Sequence, residues 1–209
     1  PQHSGHFGNY APNPALRLAQ LLASMKDPYG RVTIAGFNDG ISIDEETLKI
    51  LRAVPDDEDF IKNKLQLGSI DSVGASYQEA IQYPSLNIRG MQSGWINEEA
   101  RTIIPSWARA EIDIRLVLES DPERLLKLLK EHIEKQGYFI TADVPTKEER
   151  MNNAKVVSLT YKYSYQSFRT NFNTDVGVWL RKALVRVYTE EIIMVRMGGR
   201  SVPIAPFVN

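Results

Sequence analysis

The sequence predicts an α+β fold: a ferredoxin-like layer, with an antiparallel sheet carrying its helices on one face, followed by a partial α/β segment. Two observations predict it. From Ala108 the residues alternate, with Ala108, Ala110, Ile112, Ile114 and Leu116 pointing one way and Arg109, Glu111, Asp113 and Arg115 the other. Period two over that length means a strand buried on one face only. Such a strand belongs to an antiparallel or mixed sheet with helices against its apolar side. The second observation is the order in which strand-like and helix-like runs follow one another: strand, helices, hairpin, helix, strand.

Residues 1–12 are polar and carry glycine, and read as an extended lead-in. Asn13-Pro14 starts a helix, with an N-cap side chain ahead of a proline at the first helical position. Leu18, Leu21, Leu22 and Met25 recur at helical spacing. Asp27-Pro28-Tyr29-Gly30 is a turn, and Arg31 to Ile34 a short strand. Asp44 caps a second helix from Glu45 to Ala53. The acidic run Asp56 to Asp59 opens a third, where carboxylates suit the positive end of the helix dipole. Leu86 to Gly90 is a strand, and it pairs with the strand after Arg101 as a hairpin with a long loop. Ser120-Asp121-Pro122-Glu123 reads as a capping box. The helix behind it lines up Leu125, Leu126, Leu129 and Ile133. Gly137 ends that helix, and Tyr138 to Val144 returns as a strand.

The polar run Thr146 to Ala154 marks a boundary, which divides the chain into residues 1–149 and 150–209. In the second part Val156 to Tyr165 is strand-like. Asp175 to Glu190 is helical, with Val178, Leu180, Leu184 and Val187 as its apolar positions. Ile192 to Val195 is a strand running into a glycine loop.

The totals exclude several classes of function. A chain of 209 residues can bury a core. Its net charge of -1 asks for neither nucleic acid nor an acidic membrane. There is no cysteine, hence no disulfide or thiolate metal site, which fits a cytoplasmic, reducing compartment. No apolar run approaches the roughly 20 residues of a membrane span. Phosphate loops, dinucleotide fingerprints and EF-hand loops are missing.

Three motifs carry more specific information. His3-Ser4-Gly5 stands near the start. Thr102-Ile103-Ile104-Pro105 precedes the small-residue strand that ends Ile114-Arg115-Leu116-Val117. Arg196-Met197-Gly198-Gly199-Arg200-Ser201-Val202-Pro203 stands near the end. Together, and in this order, they resemble the dizinc exopeptidases that include carnosine dipeptidase, succinyl-diaminopimelate desuccinylase and the aminoacylases. The dipeptidase branch is the most similar, through the Thr-x-Ile-Pro to Arg spacing. The last motif departs from the family's Arg-x-Gly-Gly-Ser-x-Pro, because Arg200 stands between Gly199 and Ser201.

The resemblance implies a lid, or dimerisation, domain over residues 1–149 and the start of a returning catalytic segment after it. It implies that His3 reaches the active site of the neighbouring subunit of a homodimer, where it stabilises charge developing on the substrate carbonyl oxygen. Thr102 is implied to contact substrate from the same partner subunit. Arg115 is implied to hold the substrate carboxylate with two parallel hydrogen bonds, and Gly198, Gly199 and Ser201 to cradle it. The substrate class implied is a dipeptide or N-acyl amino acid, and the cofactor is zinc, two ions in the intact enzyme. The family's metal ligands and general base would lie before Pro1, with one histidine after Asn209. The chain is thus read as an internal, inactive piece of a longer hydrolase, binding no metal itself.

Each of these residues also has an ordinary reading. His3 can serve a turn hydrogen bond, Thr102 is a common strand residue, and Arg115 can pair with Asp113 or Glu111 on the surface. Glu98-Glu99 reads as a solvated turn. His6 has no implied role. The alternative for the whole chain is a self-standing, non-catalytic α+β module that dimerises and binds an anionic small ligand.

Overall fold

The computed structural model describes residues 1–198. Its elements follow the local chemistry of the sequence closely at their starts. A two-residue strand, β1 (Gln2–His3), runs into a single turn of helix, α1 (Ser4–Phe7). Helix α2 (Pro14–Ala23) begins where Asn13 accepts the Ala15 N–H at 2.9 Å. Asp44 caps α3 (Glu45–Arg52) through the Thr47 N–H, and Asp57 caps α4 (Glu58–Lys64) through the Phe60 N–H, both at 2.7 Å. Ser76 caps the short α5 (Tyr77–Ala80). Strand β2 (Ser85–Gln92) leads through a 3₁₀ turn at Asn97–Glu99 to β3 (Ile103–Ile104) and β4 (Arg109–Arg115). Then come α6 (Pro122–Lys135), β5 (Phe139–Thr141), α7 (Lys147–Asn152), β6 (Val156–Ser158) and α8 (Asp175–Val187). A reciprocal capping box between Thr146 and Glu149 starts α7. Ser120, by contrast, accepts the Val117 N–H at 3.3 Å.

The fold is α+β, and its strands form three two-stranded ladders among the described residues. β1 and β3 are antiparallel, with His3 opposite Ile103 and Gln2 opposite Ile104. β2 and β4 form the expected hairpin, from Ser85 opposite Arg115 to Gln92 opposite Arg109, with an irregularity between Ile88 and Gly90. β5 and β6 are parallel.

Several expected strands are shorter. Arg31 to Ile34 contributes only an isolated bridge from Val32 to Lys26. The cause is turn chemistry: Asp27 accepts the Tyr29 and Arg31 N–H groups, both at 2.9 Å, and Thr33 bonds back to Ser24 O at 2.7 Å. Those bonds fold the segment against the end of α2 instead of offering it to a neighbour. Ile192 to Val195 joins no ladder among the described residues.

The chain divides into two compact units, each discontinuous. The first comprises Pro1–Phe37, Ser85–Arg115 and Pro122–Lys162. Its buried apolar side chains include Leu21, Leu22, Met25, Ile34, Phe37, Leu86, Ile104, Leu125, Leu129 and Ile133. Leu125, Leu129 and Ile133 recur every four residues, so one stripe of α6 faces the core. Polar bonds tie the same unit together. His132 Nε2 lies 2.9 Å from Ser24 Oγ, Tyr138 donates to Arg17 O at 3.0 Å, and Arg17 donates to Ala154 O at 2.7 Å.

The second unit comprises Asn38–Pro84, Leu116–Asp121 and the chain from Tyr163 onward. Leu51 and Val117 are buried in it, together with the polar Gln78 and Gln82. Helix α8 buries no residue among those described. Of its expected apolar positions, Val178 and Leu184 are half-buried, while Leu180 and Val187 are exposed along with Val176, Trp179 and Val185. Helical spacing correctly finds the helix, but its apolar residues spread round the cylinder and no single stripe is covered.

Candidate functional site

The strongest constellation lies on the β1·β3 ribbon. Two ladder pairs hold β1 against β3, and the Ser4 N–H extends the pairing by donating to Thr102 O at 3.1 Å. His3 and Thr102, about 100 residues apart in sequence, are thereby neighbours across one ribbon, and both are exposed.

The His3 ring is oriented from within its own motif. Its Nδ1 accepts the Gly5 N–H at 3.1 Å, so the side chain serves as the N-cap of α1. A ring nitrogen that accepts carries no proton, which leaves the proton of the neutral ring on Nε2. His3 therefore presents an N–H donor outward. The ring also lies 5.0 Å from that of His6, tilted by 56°. Gly5 has a steric reason as well: a Cβ there would come within 3.0 Å of His3 Cε1 and 3.2 Å of Nδ1. All three residues of the motif thus act on one imidazole or its ribbon.

Arg115 stands at the end of β4, opposite Ser85. Its Nε donates to Asp113 Oδ2 at 2.8 Å. The partner is on the same strand, two residues back, so both lie on one face. Farther along that face Glu111 takes Arg89 at 3.1 Å and Arg109 at 3.4 Å. Such exposed pairs contribute about 0–1 kcal/mol each.

Of the glycine loop, Gly198 lies among the described residues, with nothing within 4 Å of a Cβ built on it. Gly199 and Ser201 lie outside them. The approach to the loop is held by charge. Glu119 receives Arg169 in a two-pronged contact, at 2.5 and 3.4 Å, and its Oε1 also lies 3.8 Å from Arg196 Nη2. Arg196 donates in addition to Gln82 Oε1 at 3.4 Å, and Gln82 in turn to Gln78 O at 3.0 Å. Burial pushes the Glu119 carboxyl upward, but the Arg169 hydrogen bond and the two guanidinium charges outweigh it, and the group titrates below the usual carboxylate range. Burial, with the neighbouring Arg169 charge, lowers Arg196 from the ordinary arginine value. Sequence reading missed Glu119 and Arg169. Fifty residues separate them, and pairings at that range leave no periodic trace.

Glu98 and Glu99 sit on the exposed 3₁₀ turn. Among the described residues no three His, Cys, Asp or Glu side chains come together as a metal site. No described helix is long and apolar enough to cross a membrane.

A family model described as the peptidase dimerisation domain matches residues 1–140. The chain belongs to the M20 peptidase dimerisation family. Among its M20 relatives, the human Beta-Ala-His dipeptidase is 26% identical over 206 residues, which are 97% of this chain and 38% of that protein. The Cys-Gly metallodipeptidase of Saccharomyces cerevisiae is 30% identical over 136 residues, 62% of this chain and 28% of that protein. The chain therefore spans well under half the length of these relatives. Among solved structures, an M20 family metallo-carboxypeptidase from Sulfolobus solfataricus matches with a TM-score of 0.73 at 26% identity, over 99% of this chain and 44% of that one. Human carnosine dipeptidase 1 matches in fold with a TM-score of 0.71 at 23% identity, over 98% of this chain and 42% of that one.

Proposed function

We propose that this M20 chain is the dimerisation portion, with the start of the returning catalytic segment, of a zinc-dependent, cytoplasmic dipeptidase. In this reading the intact protein hydrolyses the amide bond of dipeptides or N-acyl amino acids. Zinc, two ions in this reading, would be held by residues other than those described here and would supply the activation of water. This chain supplies the homodimer contact and part of the substrate site. His3 Nε2–H donates to the carbonyl oxygen as negative charge develops on it, and acts in the active site of the partner subunit. Thr102 contacts substrate beside it. Arg115, together with Gly198, Gly199 and Ser201, holds the free carboxylate of the substrate. Residues 1–149 form the lid, and the chain from 150 belongs to the catalytic half.

One observation carries the reading: the β1·β3 ribbon joins His3 and Thr102, the two residues implied to act in trans, and turns the His3 N–H outward. The supporting experiment is hydrolysis of a dipeptide panel by the zinc-loaded protein that spans this chain and its flanking coding sequence. His3→Ala is expected to lower kcat about 10²–10³-fold, as loss of an oxyanion donor does, while light scattering still reports a dimer. Undiminished kcat in that variant would remove His3 from the mechanism. A wild-type protein that cleaves no member of the panel would remove the dipeptidase reading.

A further inference from the structure

The second unit contains a polar cluster for which the catalytic reading has no use. Two guanidinium groups, those of Arg169 and Arg196, converge on one carboxylate, Glu119, and all three side chains are at least three-quarters buried. Two cations on one anion is an unbalanced arrangement, and burial makes an unpaired charge costly. Arg169 takes the better share, with both prongs of its fork on the two carboxylate oxygens. Arg196 takes the remainder, a longer contact to Oε1, and completes its coordination on Gln82; the Asp44 charge also favours its charged form. Arg196 is two residues ahead of Gly198, and Met197 is all that separates them. Ser167 Oγ donates to Val117 O at 2.6 Å, so the backbone that carries Glu119 is itself fixed.

We propose that Glu119 is a positioning residue: it seats Arg196, and thereby sets where the glycine loop begins. The proposal rests on the reading of that loop as a carboxylate cradle. Glu119 touches no substrate in it. Its effect passes through Arg196 to the Met197 and Gly198 backbone. The arrangement also makes a directional statement about Arg169. Removing Arg169 leaves Glu119 wholly to Arg196, so the seat is kept. Removing the Glu119 charge leaves two guanidiniums facing each other, so the seat is lost.

The test uses Glu119→Gln and Arg169→Gln. In this chain, the backbone amide NMR resonances of Met197 and Gly198 are expected to shift in Glu119→Gln and to stay near wild type in Arg169→Gln. In the zinc-loaded longer protein, Glu119→Gln is expected to raise KM about tenfold for a dipeptide with a free carboxylate, leaving kcat near wild type, as loss of uniform binding does. The corresponding dipeptide amide has no carboxylate to hold, and its KM is expected to be unmoved. Equal shifts in both variants, or unmoved resonances in Glu119→Gln, would overturn the proposal. So would an equal rise in KM for the free dipeptide and its amide. If Glu119→Gln does not fold, Glu119→Asp, which keeps the charge but shortens its reach, is expected to shift the same two resonances, and unmoved resonances would overturn the proposal. If wild type hydrolyses nothing, the functional reading fails, and the amide resonances still decide the positioning role.

Discussion

The imidazole of His3 commits one nitrogen to the Gly5 N–H, and Gly5 is the residue with no room to spare beside that ring. A methyl group at position 5 must push the ring by a few tenths of an ångström or break the cap. Gly5→Ala is therefore expected to move the His3 Nδ1 resonance in a nitrogen-detected NMR spectrum. Gly68→Ala, where nothing lies within 4 Å of the added carbon, is the control and is expected to leave it in place. An unmoved resonance in Gly5→Ala would mean that the ring is not held by its motif. At this scale the sequence was readable wherever a motif was local. Asn13, Asp44 and the start of the third helix are caps or first-turn signals that act within four residues, and the structure has them. Arg115 was placed at the end of its strand, and its partner among the two offered is Asp113. Glu119, Arg169 and Gln82 were not legible. Their contacts join segments separated by 50 and 114 residues, and only the folded chain brings them together.

At the scale of elements, helices were more legible than strands. A helix closes its hydrogen bonds within itself, so spacing and caps found the longer ones. Helices α1, α5 and α7, of four, four and six residues, are too short to show a period and were not legible. α1 lies in the stretch expected to be an extended lead-in, and α7 in the polar run expected to mark a boundary. A strand needs a partner, and the partner is a property of the fold. The β2·β4 hairpin was found because alternation and a connecting loop lie together in sequence, whereas the parallel β5·β6 pair and the isolated bridge at Val32 have no such local sign. The contact between α2 and α6 makes a testable case. Ser24 Oγ donates to Leu21 O at 2.7 Å, so it receives a hydrogen bond from His132 Nε2–H. Burial first, then the Lys135 charge, lowers His132 from its ordinary value of 6.5. Between that value and the lower folded one, the unfolded chain binds a proton that the folded chain does not. Stability is thus complete above about pH 6.5 and falls as the pH drops towards the folded pKa. Urea midpoints measured from pH 8 down to pH 5 are expected to decline in wild type, and to decline less in His132→Gln, which has no titrating group there. Parallel curves for the two proteins would place the pH dependence elsewhere.

At the scale of the whole chain, the proposed boundary at residue 149 meets a first unit that runs on to Lys162. Between those points lie β6, which pairs with β5, and Ala154, whose carbonyl takes Arg17. A chain ending at Lys162 is therefore expected to melt several degrees above one ending at Glu149, since loss of about 1 kcal/mol shifts a domain of this size by roughly 2–8 °C. Equal melting temperatures would mark 149 as the true edge. The discontinuity of the two units has a further consequence, which concerns cutting and not folding. The backbone passes from one unit to the other at 37/38, 84/85, 115/116, 121/122 and 162/163. A protease that nicks any one exposed loop leaves two pieces that share at least one unit, and the packing inside that unit holds them together. Neither unit can be released by a single cut, so a nicked chain should travel as one particle under native conditions and come apart only in denaturant.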